Sequence, residues 1–424
     1  MGLLLLMLLI MPYENSPYLY LGANLLGIFP DFTVIKLLGL LGFGWAVLRL
    51  TGGDAMTRRL STRGVALFLL FFAGVAFVGL LHGTGFQYSI SRYLAFVFFL
   101  PFVLVAVRSQ ADLRRVLAAL VLSYVLVFPY AVRQMLRFGD RLGVGLYETN
   151  YLATILVLLV PVAFTLATQQ REPTRRTLWM GAGLLLVLMI FLTSSRGGFV
   201  GLIAAGVAYV YRRRGLAGAA VVVLLLLAGV FVLPTDLGSR ALATLFQSSG
   251  DLPPGLEVSN RAHVALFWAG LRMIGDNPLV GVGPLNFKDL STLYTGLDQG
   301  NIAHNSFLEI AAELGLPMLV LFLALMFTTF QTLGWVARLR GGPEIRELAG
   351  WAEGLRSGLL GFLVAGCFIS AQYEKILWVT VFLTIALYDI ARRRVALEAA
   401  QAAEATPEVE AAPVPELVAA PSVS

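Results

Sequence analysis

The residues best suited to chemistry in this 424-residue chain are arginines and a histidine in short polar stretches between long apolar runs. Arg196 lies in the stretch SSRGG, wedged between two apolar runs. A charge at that depth is costly unless it is paired or faces a wet cavity, which favours a functional role. The neighbouring glycines would let a ligand approach the backbone closely. The alternative is an arginine whose charge simply extends to the membrane surface.

The polar stretch 260–317 is the longest interval without a membrane-length apolar run before the C-terminal tail, and long loops are often functional. Asn260 is predicted to cap an amphipathic helix over 260–274 that carries Arg261 and Arg272. The apolar face of this predicted helix is formed by Val264, Phe267, Trp268 and Leu271. Arg261 is the better anion ligand, because backbone N–H groups also point outward at a helix start. The alternative is an interfacial helix that binds lipid headgroups.

His304 follows in the same stretch, and a neutral imidazole can take a proton from a hydroxyl at neutral pH, which an arginine cannot do. Asn305 is the predicted N-cap of the short helix that follows. Glu309 and Glu313 share one face of that helix and could orient His304, although capping the next span is the simpler interpretation. A purely structural or solvated loop histidine is the alternative for His304.

Arginines together with a histidine suit a substrate that has a diphosphate and a hydroxyl nucleophile. Guanidinium groups bind phosphate oxygens in a bidentate manner and stabilise the charge that grows on the leaving group. The chain has no Gly-rich phosphate loop, no zinc-type His or Cys pair, no Gly-x-Ser-x-Gly and no Asp-x-Asp. We therefore expect neither a metal nor a cofactor. A membrane location implies that the diphosphate carries a lipid.

The elements that must position these residues are membrane helices. The chain is 58% hydrophobic and 13% charged, whereas soluble domains carry about 25% charged residues. Several apolar runs approach or reach the length of roughly 17–25 residues that spans a bilayer, so the predicted class is an all-α polytopic membrane protein. The net charge of +6 does not indicate a nucleic-acid partner, because the arginines lie in six clusters between apolar runs. The positive-inside rule places these clusters in the cytoplasm.

This reasoning predicts about twelve transmembrane helices with both termini cytoplasmic. The spans lie near 2–12, 33–50, 65–81, 92–107, 115–133, 149–168, 178–193, 198–212, 216–233, 313–336, 355–372 and 375–391. The first is short and could be extended by residues 17–29. Residues 234–312 form one large extracytoplasmic loop between the ninth and tenth spans. We predict a single transmembrane domain over 1–396 and a disordered cytoplasmic tail over 397–424.

Four stretches together resemble the bacterial O-antigen ligases and Wzy-type polysaccharide polymerases. The most specific are DNPLVGVGPLNF at 276–287 and HNSFLEIAAELGLPML at 304–319. SSRGG and the stretch RLGVGLYETNYLATILVLLVP at 141–161 add support. The resemblance implies a GT-C-like fold in the bacterial cytoplasmic membrane, with an active site that faces the periplasm.

The resemblance also implies transfer of a glycan from undecaprenyl diphosphate to an acceptor hydroxyl without metal. His304 is similar to the family's essential histidine, and Arg196 and Arg261 are similar to its diphosphate-binding arginines. The further substrate-binding candidates are Arg141, Asn150, Arg272, Asn305 and Glu309. The expected partners are the lipid-linked donor, a glycan or lipid A-core acceptor, membrane lipid and a chain-length regulator.

Three alternatives stay open at this point. A ligase and a polymerase would share the chemistry and differ in the acceptor. A transporter of lipid-linked oligosaccharide would need charged residues within spans on both sides of the midplane, whereas here the charges gather in loops. A non-catalytic scaffold would tolerate loss of His304.

Overall fold

The computed structural model describes residues 1–14, 19–25, 29–50, 62–83, 86–138, 141–144, 149–232 and 254–405. Most of these residues are helical. The helices are α1 Gly2–Ile10, α2 Val34–Leu50, α3 Arg63–His82, α4 Phe86–Ala106, α5 Gln110–Leu126, α6 Phe128–Phe138, α7 Thr149–Thr168, α8 Pro173–Leu192, α9 Arg196–Val232, α10 Pro254–Asp276, α11 Phe287–Thr295, α12 Ser306–Leu314, α13 Leu316–Val336, α14 Pro343–Ala365 and α15 Lys375–Ala405.

Six helical segments among the described residues are long and apolar enough to cross a membrane. They are Arg63–His82, Gln110–Arg137, Thr149–Thr168, Pro173–Leu192, Arg196–Val232 and Leu316–Val336. The prediction of a multi-pass, mainly helical membrane protein is therefore confirmed. The count of twelve spans stays a prediction.

The N-terminal region differs from the prediction, because the chain forms a β-hairpin where a helical extension of α1 was one expectation. The strands β1, Tyr20–Leu25, and β2, Phe29–Thr33, pair antiparallel. Helix α1 ends at Ile10, and Pro12 follows in a short 3₁₀ turn. Gly22 and Asn24 are poor helix formers, which favours the extended conformation here.

Helix α9 is a hairpin of two helices rather than one rod. Gly215 has φ +64° and ψ −163°, a conformation outside the helical region that glycine tolerates. A Cβ placed on Gly206 would lie 3.0 Å from Val222, whereas a straight helix would separate these positions by about 24 Å. The chain therefore folds back at Gly215, and the predicted break between the spans 198–212 and 216–233 is confirmed.

The C-terminal boundaries also differ from the prediction. Helix α14 begins at Pro343, a favoured first position, rather than near 355. Helix α15 continues to Ala405, nine residues beyond the predicted domain end at 396, so the start of the predicted tail is wrong. Within this extension the Glu398 carboxylate accepts a hydrogen bond from the Gly342 backbone N–H at 3.0 Å, which ties the helix to the start of α14. Residues 406–424 of the predicted tail lie outside the described residues.

Close helix crossings fix the part of the molecule that carries the candidate residues. A Cβ on Gly358 of α14 would lie 2.1 Å from the Leu158 carbonyl oxygen of α7, and one on Gly361 would lie 2.6 Å from the Gly201 carbonyl oxygen of α9. Small residues allow this approach of backbones in membrane helices. The middle of α7 and the second turn of α9 are therefore held against α14.

Candidate active site

A tight turn between α8 and α9 presents Arg196. The Ser195 hydroxyl accepts a hydrogen bond from the Gly198 N–H at 3.2 Å, as an N-cap side chain does at the start of a helix. The Thr193 hydroxyl donates to the Ile190 carbonyl at 2.6 Å and accepts from the Ser195 N–H at 3.2 Å. Arg196 is therefore the first residue of α9, half-buried at its N-terminal end.

Arg141 and Asn150 lie against this turn. The Arg141 guanidinium donates through Nε to the Thr193 carbonyl at 2.8 Å and through a terminal nitrogen to Asn150 Oδ1 at 3.3 Å. The Leu142 N–H also donates to the Leu192 carbonyl at 3.0 Å. Arg141 and Asn150, two of the predicted substrate-binding residues, are thus joined to each other. Arg141 also contacts Thr193, which precedes Arg196 by three residues.

The loop 366–374 between α14 and α15 connects the Arg196 turn with the His304 segment. A Cβ on Gly197 would lie 2.6 Å from Cβ of Phe368. At its other side the loop holds Ser306, whose N–H donates to the Gly366 carbonyl at 2.8 Å. The Ser306 hydroxyl donates to the Ile369 carbonyl at 2.8 Å and accepts from the Ala371 N–H at 2.9 Å. One loop therefore contacts both Gly197, which is next to Arg196, and Ser306, which follows His304 by two residues.

Glu309 of α12 is 3% exposed and its carboxylate accepts hydrogen bonds from two loops. The Ala303 N–H donates to Oε2 at 3.0 Å and the Gln372 amide donates to Oε1 at 2.8 Å. The Ser370 hydroxyl also donates to Oε2. The carboxylate thus fixes the backbone just before His304. Its predicted role in binding substrate stays a prediction.

Glu313 lies one turn further along α12 and holds a third loop. The Phe287 N–H donates to its Oε1 at 3.1 Å and the Tyr373 hydroxyl donates to its Oε2 at 2.9 Å. Burial and the nearby Glu309 charge raise the pKa of Glu313 to about 8. The loop 281–286, which follows the DNPL motif, is therefore attached to α12 through a carboxyl that is mostly protonated at neutral pH.

His304 occupies the turn that Glu309 and Asn305 fix. Asn305 caps α12 as predicted, because its Oδ1 accepts from the N–H groups of Phe307 and Leu308 at 3.0 and 3.1 Å. Burial lowers the pKa of His304, which favours the neutral ring that a base requires. Its Nδ1 is buried and has no hydrogen-bond partner among the described residues. Such an atom costs about 1–3 kcal/mol, which a substrate hydroxyl could recover.

Helix α10 brings a second histidine to this turn. The ring centroids of His263 and His304 are 4.5 Å apart, with the ring planes tilted by 59°. The packed face of α10 continues from His263 through Leu266 and Gly270, and a Cβ on Gly270 would lie 2.7 Å from Leu308 of α12. His263 was not among the site residues predicted from the sequence. The available signal was the helical spacing of this face, because Leu266 follows His263 by three residues and Gly270 follows Leu266 by four.

Two predictions about α10 need correction. The helix begins at Pro254, so Asn260 lies inside it and does not cap it. Arg261 therefore lies about two turns from the helix start, and the argument from exposed N–H groups no longer applies. Arg261 is exposed, on a face about 200° around the helix from His263. Arg261 therefore lies at the same level of the α10 axis as His263, which contacts His304, but on a different face of the helix.

The predicted apolar face and Arg272 lie away from the contacts just described. Val264, Phe267, Trp268 and Leu271 are 59%, 43%, 57% and 39% exposed, as a face turned to lipid would be. Arg272 lies nine residues after His263, roughly 13 Å along the helix axis. Its guanidinium donates to the Tyr294 carbonyl of α11 at 3.4 Å, in an exposed position. The structure does not bring Arg272 to His304.

Strained backbone occurs in the Arg196 turn, in the loop 281–286 and in the His304 turn. Among the described residues other than glycine, Ser194, Leu285 and His304 have positive φ, at 50°, 63° and 50°. Such conformations cost of order 1–3 kcal/mol and cluster at functional sites. Contacts with α7, α12 and α14 hold these three turns in their strained conformations. Two of the turns carry Arg196 and His304.

No group of three or more His, Cys, Asp or Glu residues in the described part of the chain could hold a metal ion.

A cleft of about 680 Å³ lies at the opposite end of α7 and α8 from the Arg141–Thr193 contact. It is lined by Arg114, Gln169, Gln170, Arg171, Glu172, Arg175, Pro343, Glu344, Arg346 and Glu347. None of the candidate residues lines it.

The loops, the buried carboxylates and the two histidines fall largely within one segment that is recognisable by comparison. The O-antigen ligase family model matches residues 181–323. This match confirms the resemblance to the O-antigen ligase and Wzy family, on a segment that contains Arg196, Arg261 and His304. Arg141 and Asn150 lie outside the matched segment. No curated protein matches the chain.

Proposed function

We propose that this chain is an O-antigen-ligase-like glycosyltransferase that moves a glycan from undecaprenyl diphosphate to an acceptor hydroxyl. The observation that carries the proposal is the set of contacts that joins Arg141, the Arg196 turn and the His304 turn through the loop 366–374. The turns that carry the cationic groups and the neutral imidazole are thereby attached to the same loop. The reaction takes place at the periplasmic face of the cytoplasmic membrane and needs no metal.

In this mechanism His304 removes the proton from the acceptor hydroxyl. The electron pair of that O–H bond forms the new bond to the anomeric carbon of the donor. The bond between the anomeric carbon and the diphosphate oxygen breaks, and its electron pair leaves with the diphosphate. Arg196 and Arg141 stabilise that charge by charge-assisted hydrogen bonds, with Arg261 as a further candidate.

Burial of His304 supports the assignment of the base. Burial favours the neutral His304 imidazole, the form that can take a proton, and among the described residues its Nδ1 has no hydrogen-bond partner. Asn150 and Asn305 act on the arrangement of the site, since Asn150 bonds Arg141 and Asn305 caps α12. Arg272 and Glu309 are weaker candidates for substrate contact, because one lies apart and the other is occupied by loop donors.

The acceptor distinguishes two versions of this function. A ligase attaches the glycan to a lipid A-core hydroxyl, whereas a Wzy-type polymerase attaches it to another lipid-linked repeat unit. Deletion of a ligase should leave long glycans on undecaprenyl diphosphate, and deletion of a polymerase should leave single repeats. The family description favours the ligase slightly.

The test is reconstitution of the full chain with a lipid-diphosphate glycan and each candidate acceptor, in the presence of EDTA. We expect turnover by the unaltered chain and a loss of about 10²- to 10⁴-fold in His304→Ala, the usual contribution of a general base. Arg196→Lys should also lose activity, because an ammonium cannot bind phosphate in a bidentate manner. Arg171→Ala is the matched control, since Arg171 lines the distant cleft. Transfer that required added metal, or full activity of His304→Ala, would contradict the proposal.

A further inference from the structure

The buried face of α10 places His263 where an apolar residue would be expected. Leu266, Ala269, Gly270 and Met273 form the buried face of α10 against α12 and its neighbouring loop. His263 precedes Leu266 by three residues and therefore extends the same face by one turn. It is half-buried, and the residue that it meets is His304.

The pair is held from both sides. On the His304 side, Glu309 fixes Ala303 and Asn305 caps α12. On the His263 side, Gly270 and Leu308 bring α10 close to α12. The distance of 4.5 Å between ring centroids therefore follows from packed helices, not from a mobile surface contact.

We propose that His263 is a positioning residue for His304, which keeps the His304 ring oriented and, through repulsion between the two rings when both are protonated, keeps it neutral and able to take the acceptor proton. This inference rests on the proposed function for its catalytic meaning. Two rings this close cannot both carry a proton without strong repulsion, and they titrate together. The first proton of the pair leaves the other ring neutral.

The size of the effect follows from the distance. Even with water-like screening, a unit charge 4.5 Å away shifts a titration by roughly 0.7 pH unit, or about fivefold in proton affinity. The half-buried rings are screened less than that, so the shift is expected to be at least this large. Loss of the His263 imidazole should therefore raise the pH at which His304 takes up its proton.

The elements packed on the His304 turn, or adjoining those elements, carry the other ionisable groups. Helix α10 carries Arg261, and α12 carries Glu309 and Glu313. The loop 366–374 carries Tyr373 and Glu374, and the adjoining helix start carries Arg196. Burial is the resolved cause of the lowered pKa of His304. All these groups are unchanged in a His263 variant, so a shift after that substitution reports on His263.

The chain contains three histidines, which makes the measurement direct. The full chain, labelled with ¹³C-histidine, should give three ring signals by NMR, from His82, His263 and His304. His263→Phe keeps the size and planarity of the ring and removes its charge. We expect the titration midpoint of His304 to rise by roughly 0.7 pH unit or more in this variant, while that of His82 stays constant.

Activity supplies the second readout. The acid limb of the kcat–pH profile should move to higher pH in His263→Phe by the same amount, with KM little changed. A His304 midpoint and an acid limb that both stay within about 0.2 unit of the unaltered chain would reduce His263 to packing and overturn the inference. If His263→Phe does not fold, His263→Gln is measured against the same criteria. If the unaltered chain transfers no glycan, the proposed function fails, while the NMR titration still decides about His263.

Discussion

The two buried glutamates of α12 accept similar hydrogen bonds but hold different parts of the chain. Glu309 accepts from the Ala303 N–H and from the loop 366–374, whereas Glu313 accepts from the Phe287 N–H and the Tyr373 hydroxyl. Two carboxylates one helical turn apart repel when both are ionised. A protonated Glu313 removes that repulsion and still holds its loop.

This arrangement predicts a pH-dependent stability. Glu313 has a pKa of about 8 when folded against an ordinary value of 4.5, so the unfolded chain releases the proton first as pH rises. Its contribution is fully present below about pH 4.5 and is lost as pH rises towards about 8. Glu313→Gln should therefore lose less stability between pH 5 and 8, measured as the midpoint of thermal unfolding in detergent. Asp289→Asn, at an exposed position of α11, should keep the original slope, and an equal slope in both variants would contradict the assignment.

At the residue scale the sequence indicated what local rules control. Asn305 was predicted as a cap from its place before SFLE, and the structure confirms both hydrogen bonds. An orienting role of Glu309 towards His304 was one of two open interpretations, and its contact with the Ala303 N–H depends on how the chain turns before the helix. The meeting of His263 and His304 depends on the packing of α10 against α12, and no local rule gives that distance.

Glycine-based crossings are the corresponding feature at the scale of elements. Gly201 of α9 and Gly361 of α14 face each other so closely that a Cβ on either would lie 2.6 Å from the carbonyl oxygen of the other. Backbone atoms cannot move aside as a side chain can. The position of the first turn of α9, and hence of Arg196, therefore depends on this contact.

Gly361→Ala should destabilise the protein by about 1–3 kcal/mol, the usual cost of overpacking, and lower transfer activity because α9 shifts. Gly181→Ala in α8 is the matched control, because a Cβ there meets nothing within 4 Å and alanine is the better helix former by about 1 kcal/mol. Unfolding midpoints in detergent measure both. Equal changes in the two variants would show that the crossing does not limit the packing.

The hydrophobic runs predicted which segments are helical, but they predicted the ends of the helices less accurately. The span 149–168 matches α7 in full, and Gly215 breaks α9 where two spans were separated. Helix α10 begins at Pro254, before the expected cap at Asn260, because a proline at a helix start competes with a later asparagine as a signal. The β-hairpin was missed, since its short polar-apolar segments lie next to an apolar helix.

At the scale of the whole molecule, the candidate site and the arginine-lined cleft lie at opposite ends of the helix bundle. The Arg141–Asn150 contact and the Arg196 turn lie where α7 begins and α8 ends, and the arginine-lined cleft lies where α7 ends and α8 begins. A 20-residue helix such as α7 is about 30 Å long, the thickness of a bilayer core. The positive-inside rule then predicts that the cleft is cytoplasmic and that the candidate site is outside.

Single cysteines test this orientation. Cys367 is the one cysteine of the chain, so Cys367→Ser provides a cysteine-free background. In that background Asp298→Cys, at an exposed position between α11 and α12, should react with a membrane-impermeant maleimide in intact spheroplasts. Glu172→Cys, whose native side chain is 55% exposed beside the cleft, should react only after the membrane is opened. Because the acceptor glycan is built outside the cytoplasm in the proposed function, the reverse pattern would contradict both the topology and the site's access to its substrate.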